Sequence, residues 1–149
     1  MASQQPGADI AVFSLDAEVV PNLDLHPSSD GAVFSQDAYL LGFPYGLGLR
    51  TSGITYPFVK KAIVSAFDHE VAGVVLWFFD GINNPGFSGG PVVFNKAGTT
   101  EWHVAAIISG YRTELVAVNG SAGRVPINTG IIVRYDVCHA VAAIDAHVS

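Results

Sequence analysis

Between Ile10 and Val133 the chain reads as short runs of Val, Ile, Phe and Tyr separated by tight-turn residues, and this spacing limits it to one broad architecture. β-Branched and aromatic residues suit a pleated, half-buried surface. The runs predict strands at Ile10–Leu15, Ala38–Phe43, Lys60–Phe67, Val71–Phe79, Pro91–Phe94, Trp102–Ser109 and Gly130–Val133. Turns between them are read at Pro44-Tyr45-Gly46, Asp80-Gly81, Asn83-Asn84-Pro85-Gly86, Asn95-Lys96-Ala97-Gly98 and Asn119-Gly120. Many short strands at such intervals indicate an antiparallel barrel or sandwich rather than alternating β-α units. One stretch follows a helical period instead. Val137, Ala140, Val141 and Ile144 recur at i, i+3, i+4 and i+7, and Asp136 is placed to meet the positive end of the helix dipole. The expected fold class is all-β, closed by a C-terminal helix over Asp136–His147, with Pro21–Gly31 as a connecting loop.

The length of 149 residues fits one ordinary domain with a real core. Hydrophobic residues make up 50% and charged residues 13%, which excludes disorder. The longest apolar run, Val71–Phe79, is far short of the roughly 20 residues a membrane helix needs, so no membrane partner is expected. Net charge is −6 and the only adjacent basic pair is Lys60-Lys61, so nucleic acid is not an expected partner either. Cys138 is the single cysteine, read as a small buried hydrophobe, and no Cys-His spacing suggests a metal. Without a disulfide or a visible signal peptide, a cytoplasmic location is favoured. So low a charge content also fits a surface partly covered by another chain or segment.

The stretch Asp80–Pro91 (DGINNPGFSGGP) sets one serine, Ser88, among four glycines. Small residues on both sides of a serine let backbone N–H groups converge near its hydroxyl. Acyl transfer needs that geometry, because its tetrahedral intermediate carries an oxyanion. The alternative is a Gly-rich turn whose serine caps a backbone group.

The full string resembles the trypsin-like serine proteases, in particular the bacterial HtrA-type branch, whose nucleophile lies in D-x-x-I-N-P-G-N-S-G-G-P. Asp80, Asn84, Pro85, Gly86, Ser88, Gly89, Gly90 and Pro91 fall in register, and Phe87 stands in place of the usual Asn. Tyr39–Gly48, Phe58–Ala66, Ala106–Tyr111 and Gly130–Val133 are similar to further strands of the family's second barrel. Asp9-Ile10-Ala11-Val12 looks like the segment whose aspartate orients the catalytic histidine. The resemblance implies a trypsin-like antiparallel β-barrel over residues 32–149, with a remnant strand of a first barrel plus a connecting loop over residues 1–31. It implies a serine endopeptidase acting on a peptide or protein substrate without metal or cofactor. Ser88 would be the nucleophile, Asp9 the orienting carboxylate, and the Gly86 and Ser88 amides the oxyanion hole. Ile82, Asn83, Asn84 and Pro85 would form one wall of the substrate pocket, and Ile108, Ser109, Gly110 and Tyr111 the other. Neither wall contains Asp or Glu, which favours a small or apolar residue before the scissile bond. Phe87 could pack beneath the oxyanion loop.

The family's order is His, Asp, Ser, yet His26, His69, His103, His139 and His147 all follow Asp9 and none sits in a matching motif. A triad without its base loses about four to six orders of magnitude in turnover. The chain is therefore expected to be inactive by itself, its histidine belonging to a missing N-terminal barrel or to another chain. A homo-oligomer, a swapped Asp9 strand or aggregation would cover the exposed interbarrel face. A second reading keeps the barrel as a non-catalytic trypsin-like peptide-binding domain, with a peptide adding to the edge near Ser109–Tyr111. A third reads Gly86-Phe87-Ser88-Gly89-Gly90 as an α/β-hydrolase elbow, with Asp136 and His139 downstream. That elbow must open a helix, whereas Pro91-Val92-Val93-Phe94 reads as strand.

Overall fold

Side chains point alternately to the two faces of a strand, so a strand that lines a core buries every second residue. The computed structural model, which describes residues 3–4, 9–16, 25–71, 73–118 and 123–148, has this alternation in its central strands. In chain order the strands are β1 (Ser3–Gln4), β2 (Ala11–Val12), β3 (Leu25–Pro27), β4 (Asp37–Gly42), β5 (Leu49–Thr51) and β6 (Ile54–Tyr56). They continue as β7 (Phe58–Val71), β8 (Val74–Asp80), β9 (Pro91–Asn95), β10 (Trp102–Ala117) and β11 (Arg124–Asp136), followed by the helix α1 (Val137–Val148).

Six strands close into a ring in the order β4, β7, β8, β11, β10, β9, each antiparallel to its neighbours. Its interior is filled from each side: Ala38 and Leu40 from β4, Ala62 and Val64 from β7, Trp77 and Phe79 from β8, Val92 and Phe94 from β9, Ala105 and Ile108 from β10, and Ile132 from β11. β3 adds to β10 in parallel, and β1 with β2 and β5 with β6 form two small hairpins. The β5–β6 hairpin turns at Ser52 (φ 51) and Gly53 (φ 82), the pair of positive angles a two-residue primed turn requires.

The expected strands are present, with altered limits. Lys60–Phe67 extends to Phe58–Val71, so Val71 ends β7 and the next strand begins at Val74. Trp102–Ser109 runs on to Ala117 and Gly130–Val133 begins at Arg124, because the two strands continue as a paired ribbon beyond the ring. Only Ala11–Val12 of Ile10–Leu15 pairs as strand. Within the expected loop Pro21–Gly31, Leu25–Pro27 finds a partner in β10; three residues carry too little periodicity to be read beforehand. Pro21 and the Asn119-Gly120 turn lie outside the described residues, as does the side chain of His69.

The helix forms where expected, and Asp136 caps it: its Oδ1 accepts from the Cys138 N–H at 2.8 Å. The buried face is rotated from the expected one. Ala143 is buried and Ile144 is 47% exposed, because α1 docks through small residues against Ile10 and Val74. His139 is also turned inward, where its Nε2 accepts from the Val75 N–H at 2.8 Å. Cys138 is exposed, correcting its expected burial: the inward positions beside it are taken by Val137 and His139. Among the described residues no helix is long and apolar enough to cross a membrane.

Candidate active site

The Ser88 loop is two consecutive turns. Phe87 N–H donates to Asn84 O at 3.4 Å and Gly90 N–H to Phe87 O at 2.9 Å. In each, the third position is a glycine at positive φ, Gly86 at 99° and Gly89 at 82°, and Pro85 occupies the second position of the first turn. This is the residue pattern of a type II turn repeated. The loop also lies flush against the chain beside it. A Cβ on Gly86 would sit 2.1 Å from Phe43 O, and one on Gly90 the same distance from Leu41 O.

Four backbone bonds clamp this packing. Phe43 N–H donates to Gly86 O at 3.0 Å, Tyr45 N–H to Pro85 O at 2.9 Å, Gly89 N–H to Ile108 O at 2.8 Å, and Ile108 N–H to Gly90 O at 2.9 Å. The second fixes the Pro85–Gly86 peptide plane, and since a trans peptide holds C=O and N–H opposed, it aims the Gly86 N–H away from Tyr45. Among the described residues neither the Gly86 nor the Ser88 N–H donates to any protein group. Ser88 itself is exposed.

Phe87, the departure from the family string, is fully buried in the ring's core, as the sequence suggested it could be. It rests on Gly42, where a Cβ would come within 2.6 Å of the Phe87 ring and 2.8 Å of its Cα.

A cavity of about 350 Å³ lies beside the loop, lined by Asp9, Ile10, Ala11, Ser88, Gly89, Ile107, Ile108, Ser109 and Tyr135. The structure thus brings Asp9 and Ser88 to one void, although 78 residues separate them in the chain. Asp9 is placed by its neighbour: Ile10 is buried with Val74 and Ala143, which pins this segment between β8 and α1. Ser109 Oγ donates to Val133 O at 3.0 Å and so ties β10 to β11 at the cavity wall. A second cleft, about 400 Å³, shares Ser88 and Gly89 and is lined by Gly86, Leu41, Gly42, Phe43, Pro57, Gly90 and Pro91.

The two expected pocket walls fare differently. Ile108 and Ser109 line the Asp9–Ser88 cavity. The Gly110 carbonyl accepts from Arg134 Nη1 at 2.5 Å, and Tyr111 is 40% exposed. None of Ile82, Asn83, Asn84 and Pro85 lines that cavity. Ile82 is exposed, and Asn83 is buried with its carbonyl accepting from Asn128 Nδ2 at 3.0 Å. Asn84 Oδ1 accepts from Lys60 Nζ at 2.6 Å, a contact the sequence did not foreshadow. The Lys60-Lys61 pair was its only visible trace.

No described histidine ring reaches the cavity. His26 and His103 face each other across β3 and β10, with centroids 5.3 Å apart, His139 holds Val75, and His147 Nε2 lies 2.6 Å from Ser14 Oγ. No group of three or more His, Cys, Asp or Glu among the described residues is arranged to hold a metal ion. The segment after Ser88 is the strand β9, so the elbow-to-helix geometry of an α/β-hydrolase is absent there.

No protein-family model matches the chain, and no curated protein sequence matches it. Solved structures do. An HtrA-type protease, AlgW, solved with a decapeptide superposes with a TM-score of 0.66 at 22% identity, covering 98% of this chain and 39% of that one. The same protease with a tripeptide gives 0.62 at 22% identity, covering 91% and 38%. The chain thus spans about two-fifths of the proteases it matches. Its fold is trypsin-like, shared with about two-fifths of these proteases.

Proposed function

We propose that this chain is the acylating part of a trypsin-like serine endopeptidase. Residues 32–149 supply the barrel that holds the nucleophile, and residues 1–31 the remnant strand that carries Asp9 and the connection to the barrel. Ser88 Oγ attacks the scissile carbonyl, and its proton passes to an imidazole seated between Asp9 and Ser88. The Gly86 and Ser88 N–H groups receive the oxyanion, and Asp9 orients the imidazole and stabilises its charged form. The observation that carries this reading is that Asp9 and Ser88 share one cavity beside two unengaged amides. The walls at Ile82, Asn83, Asn84, Pro85 and at Ile108, Ser109, Gly110, Tyr111 would take a small or apolar residue before the scissile bond. The peptides solved with the structural relatives support a peptide substrate. The reaction needs no metal or cofactor.

None of His26, His69, His103, His139 and His147 lies in a motif that matches the family's histidine segment, so in this reading the base is an imidazole carried by a first barrel or a second chain. The exposed apolar residues Phe43, Leu47, Leu49, Ile54 and Phe58 support a covering partner of that kind. The competing reading, a non-catalytic peptide-binding domain, draws on the same observation that no described imidazole lines the cavity.

Fluorophosphonate labelling read by intact mass separates the two, with Ser88→Ala as control. The chain alone is expected to label no faster than the control at pH 7, and added free imidazole is expected to produce labelling that depends on Ser88. Peptide affinity with no Ser88 labelling in imidazole would select the binding domain. Rapid Ser88-dependent labelling without imidazole would overturn the claim that the base comes from elsewhere.

A further inference from the structure

Lys60 lies on β7, away from the Asp9–Ser88 cavity, yet it makes three contacts with the loop that presents Ser88. Its Nζ donates to Ile82 O and to Asn84 Oδ1, each at 2.6 Å, and stands 5.6 Å from the centre of the Phe87 ring. Asn84 Nδ2 in turn donates to the Tyr45 hydroxyl at 3.4 Å. Its neighbour Lys61 engages a different element, pairing with Asp37 at 2.8 Å.

These contacts bracket the turn formed by Asn84, Pro85, Gly86 and Phe87. The turn's own closing bond is long at 3.4 Å, so it restrains the loop weakly. The orientation of the Gly86 N–H rests instead on the Tyr45 N–H to Pro85 O bond, and Tyr45 is a non-glycine residue held at φ 54. Such a backbone persists only where its surroundings over-determine it. The two short bonds from Lys60 to Ile82 O and Asn84 Oδ1 are among those surroundings, and the 3.4 Å contact from Asn84 Nδ2 to the Tyr45 hydroxyl is the weakest link of the chain they begin. An ammonium is well suited to bracing such a turn. Its donors point in several directions, its bonds to a carbonyl and an amide oxygen are charge-assisted, and its charge is also attracted to an aromatic face.

We infer that Lys60 is a positioning residue for the Gly86 N–H, acting through the turn that carries it; this rests on the proposed role of Ser88 and its oxyanion donors. Displacing a single oxyanion donor costs roughly a hundred- to a thousandfold, and a loosened turn displaces it part of the time.

The test is the rate of imidazole-supported fluorophosphonate labelling of Ser88. Lys60→Met is expected to slow it about ten- to a hundredfold, whereas Lys60→Arg, which can still reach both acceptors, stays within roughly threefold of wild type. Lys61→Met is expected to leave the rate unchanged. A merely structural lysine would lower the melting temperature without slowing the labelling of folded protein, so both are read. Wild-type labelling by Lys60→Met would overturn the inference. If Lys60→Met fails to fold, Asn84→Ala breaks the same chain at a half-buried link and is expected to slow labelling severalfold; an unchanged rate again refutes the role. Absence of Ser88-dependent labelling in wild type would sink the serine-nucleophile reading instead. The amide NMR shifts of Gly86 and Phe87 still report on Lys60 in that case: they move in Lys60→Met if it holds the turn, and unmoved shifts overturn it.

Discussion

Replacing Gly86 by Ala tests whether the Ser88 loop is held by the close approach the structure describes. Two costs add. A Cβ at φ 99 puts an L-residue where only glycine is comfortable, worth about 1–2 kcal/mol. The same Cβ would stand 2.1 Å from Phe43 O, 2.9 Å from Phe43 C and 3.0 Å from Pro44 Cα, against ordinary contacts of 3.4 Å or more, and all three atoms are backbone. The loop must therefore open by about 1.3 Å, which breaks the Phe43 N–H to Gly86 O bond and forfeits about 1 kcal/mol more. The expected destabilisation is about 2–3 kcal/mol, or roughly 4–12 °C in melting temperature for a chain of this size. The Gly86 N–H leaves its aim at the same time, so imidazole-supported labelling of Ser88 should fall about a hundred- to a thousandfold. Gly53→Ala is the matched control. It too sits at positive φ (82), but nothing lies within 4 Å of its Cβ position, so it should cost only the conformational strain and leave labelling intact. If Gly86→Ala melts and labels like Gly53→Ala, the close approach contributes nothing and the loop is held by something else.

Two further predictions concern buried charge. Arg134 is fully buried, its Nη1 donates to the carbonyls of Gly110 and Val133 at 2.5 Å each, and its Nε and Nη2 have no partner among the described residues. Burial lowers its pKa to about 9, so the native state resists the charge at neutral pH. Arg134→Met should be neutral or stabilising by about 1 kcal/mol in urea unfolding at pH 7, and a loss of more than about 2 kcal/mol would show that the two carbonyl contacts outweigh the unpaired charge. For Asp136, burial pushes the carboxyl pKa up, but the hydrogen bonds from Cys138, Ser29 and Trp77 outweigh it and leave it below the ordinary value. A depressed native pKa means its contribution is whole above the ordinary carboxylate pKa of about 4 and drains away as pH falls toward the native value. Asp136→Asn should therefore cost about 2 kcal/mol at pH 7, where one donor loses its acceptor, and less at pH 3; an equal cost at both would refute the linkage.

The strands of the ring were legible because alternation is strong where one face is buried. Ala38 and Leu40, Ala62 and Val64, and Trp77 and Phe79 each keep the period of two. What the sequence missed was decided by tertiary partners. Leu25–Pro27 is a strand only because the edge of β10 is open beside it. The helix face is rotated because alanines allow α1 to approach Ile10 and Val74 more closely than Ile144 would. Within the candidate site, Ser88 and Gly86 were legible from their turn residues. The pairing of Asp9 with Ser88 was legible only through the resemblance of Asp9-Ile10-Ala11-Val12 to a family segment; composition and periodicity carry no sign of it, since the approach depends on Ile10 docking against α1 and β8. Lys60 had almost none, because an ion on one strand that braces a distant turn leaves no spacing pattern.

Phe87 explains how the Ser88 loop holds its shape with no described imidazole lining the cavity beside it. Its position in the family string ordinarily carries a polar side chain, whereas here a fully buried phenyl ring joins the core with Leu40, Val92 and Ile108. Truncating such a ring typically costs about 3–5 kcal/mol, more than any single hydrogen bond of the loop supplies. The loop is thus anchored from below by packing, through a ring that fits only because Gly42 has no Cβ. None of the groups that shape it, Gly42, Phe43, Tyr45, Ile108 and Phe87, depends on a base in the Asp9–Ser88 cavity. On the proposed role of Ser88, folding of its loop and supply of the base are therefore separable, so an imidazole delivered into the cavity would meet donors already in place. That is the physical ground for expecting small-molecule imidazole to activate Ser88 without first refolding the loop.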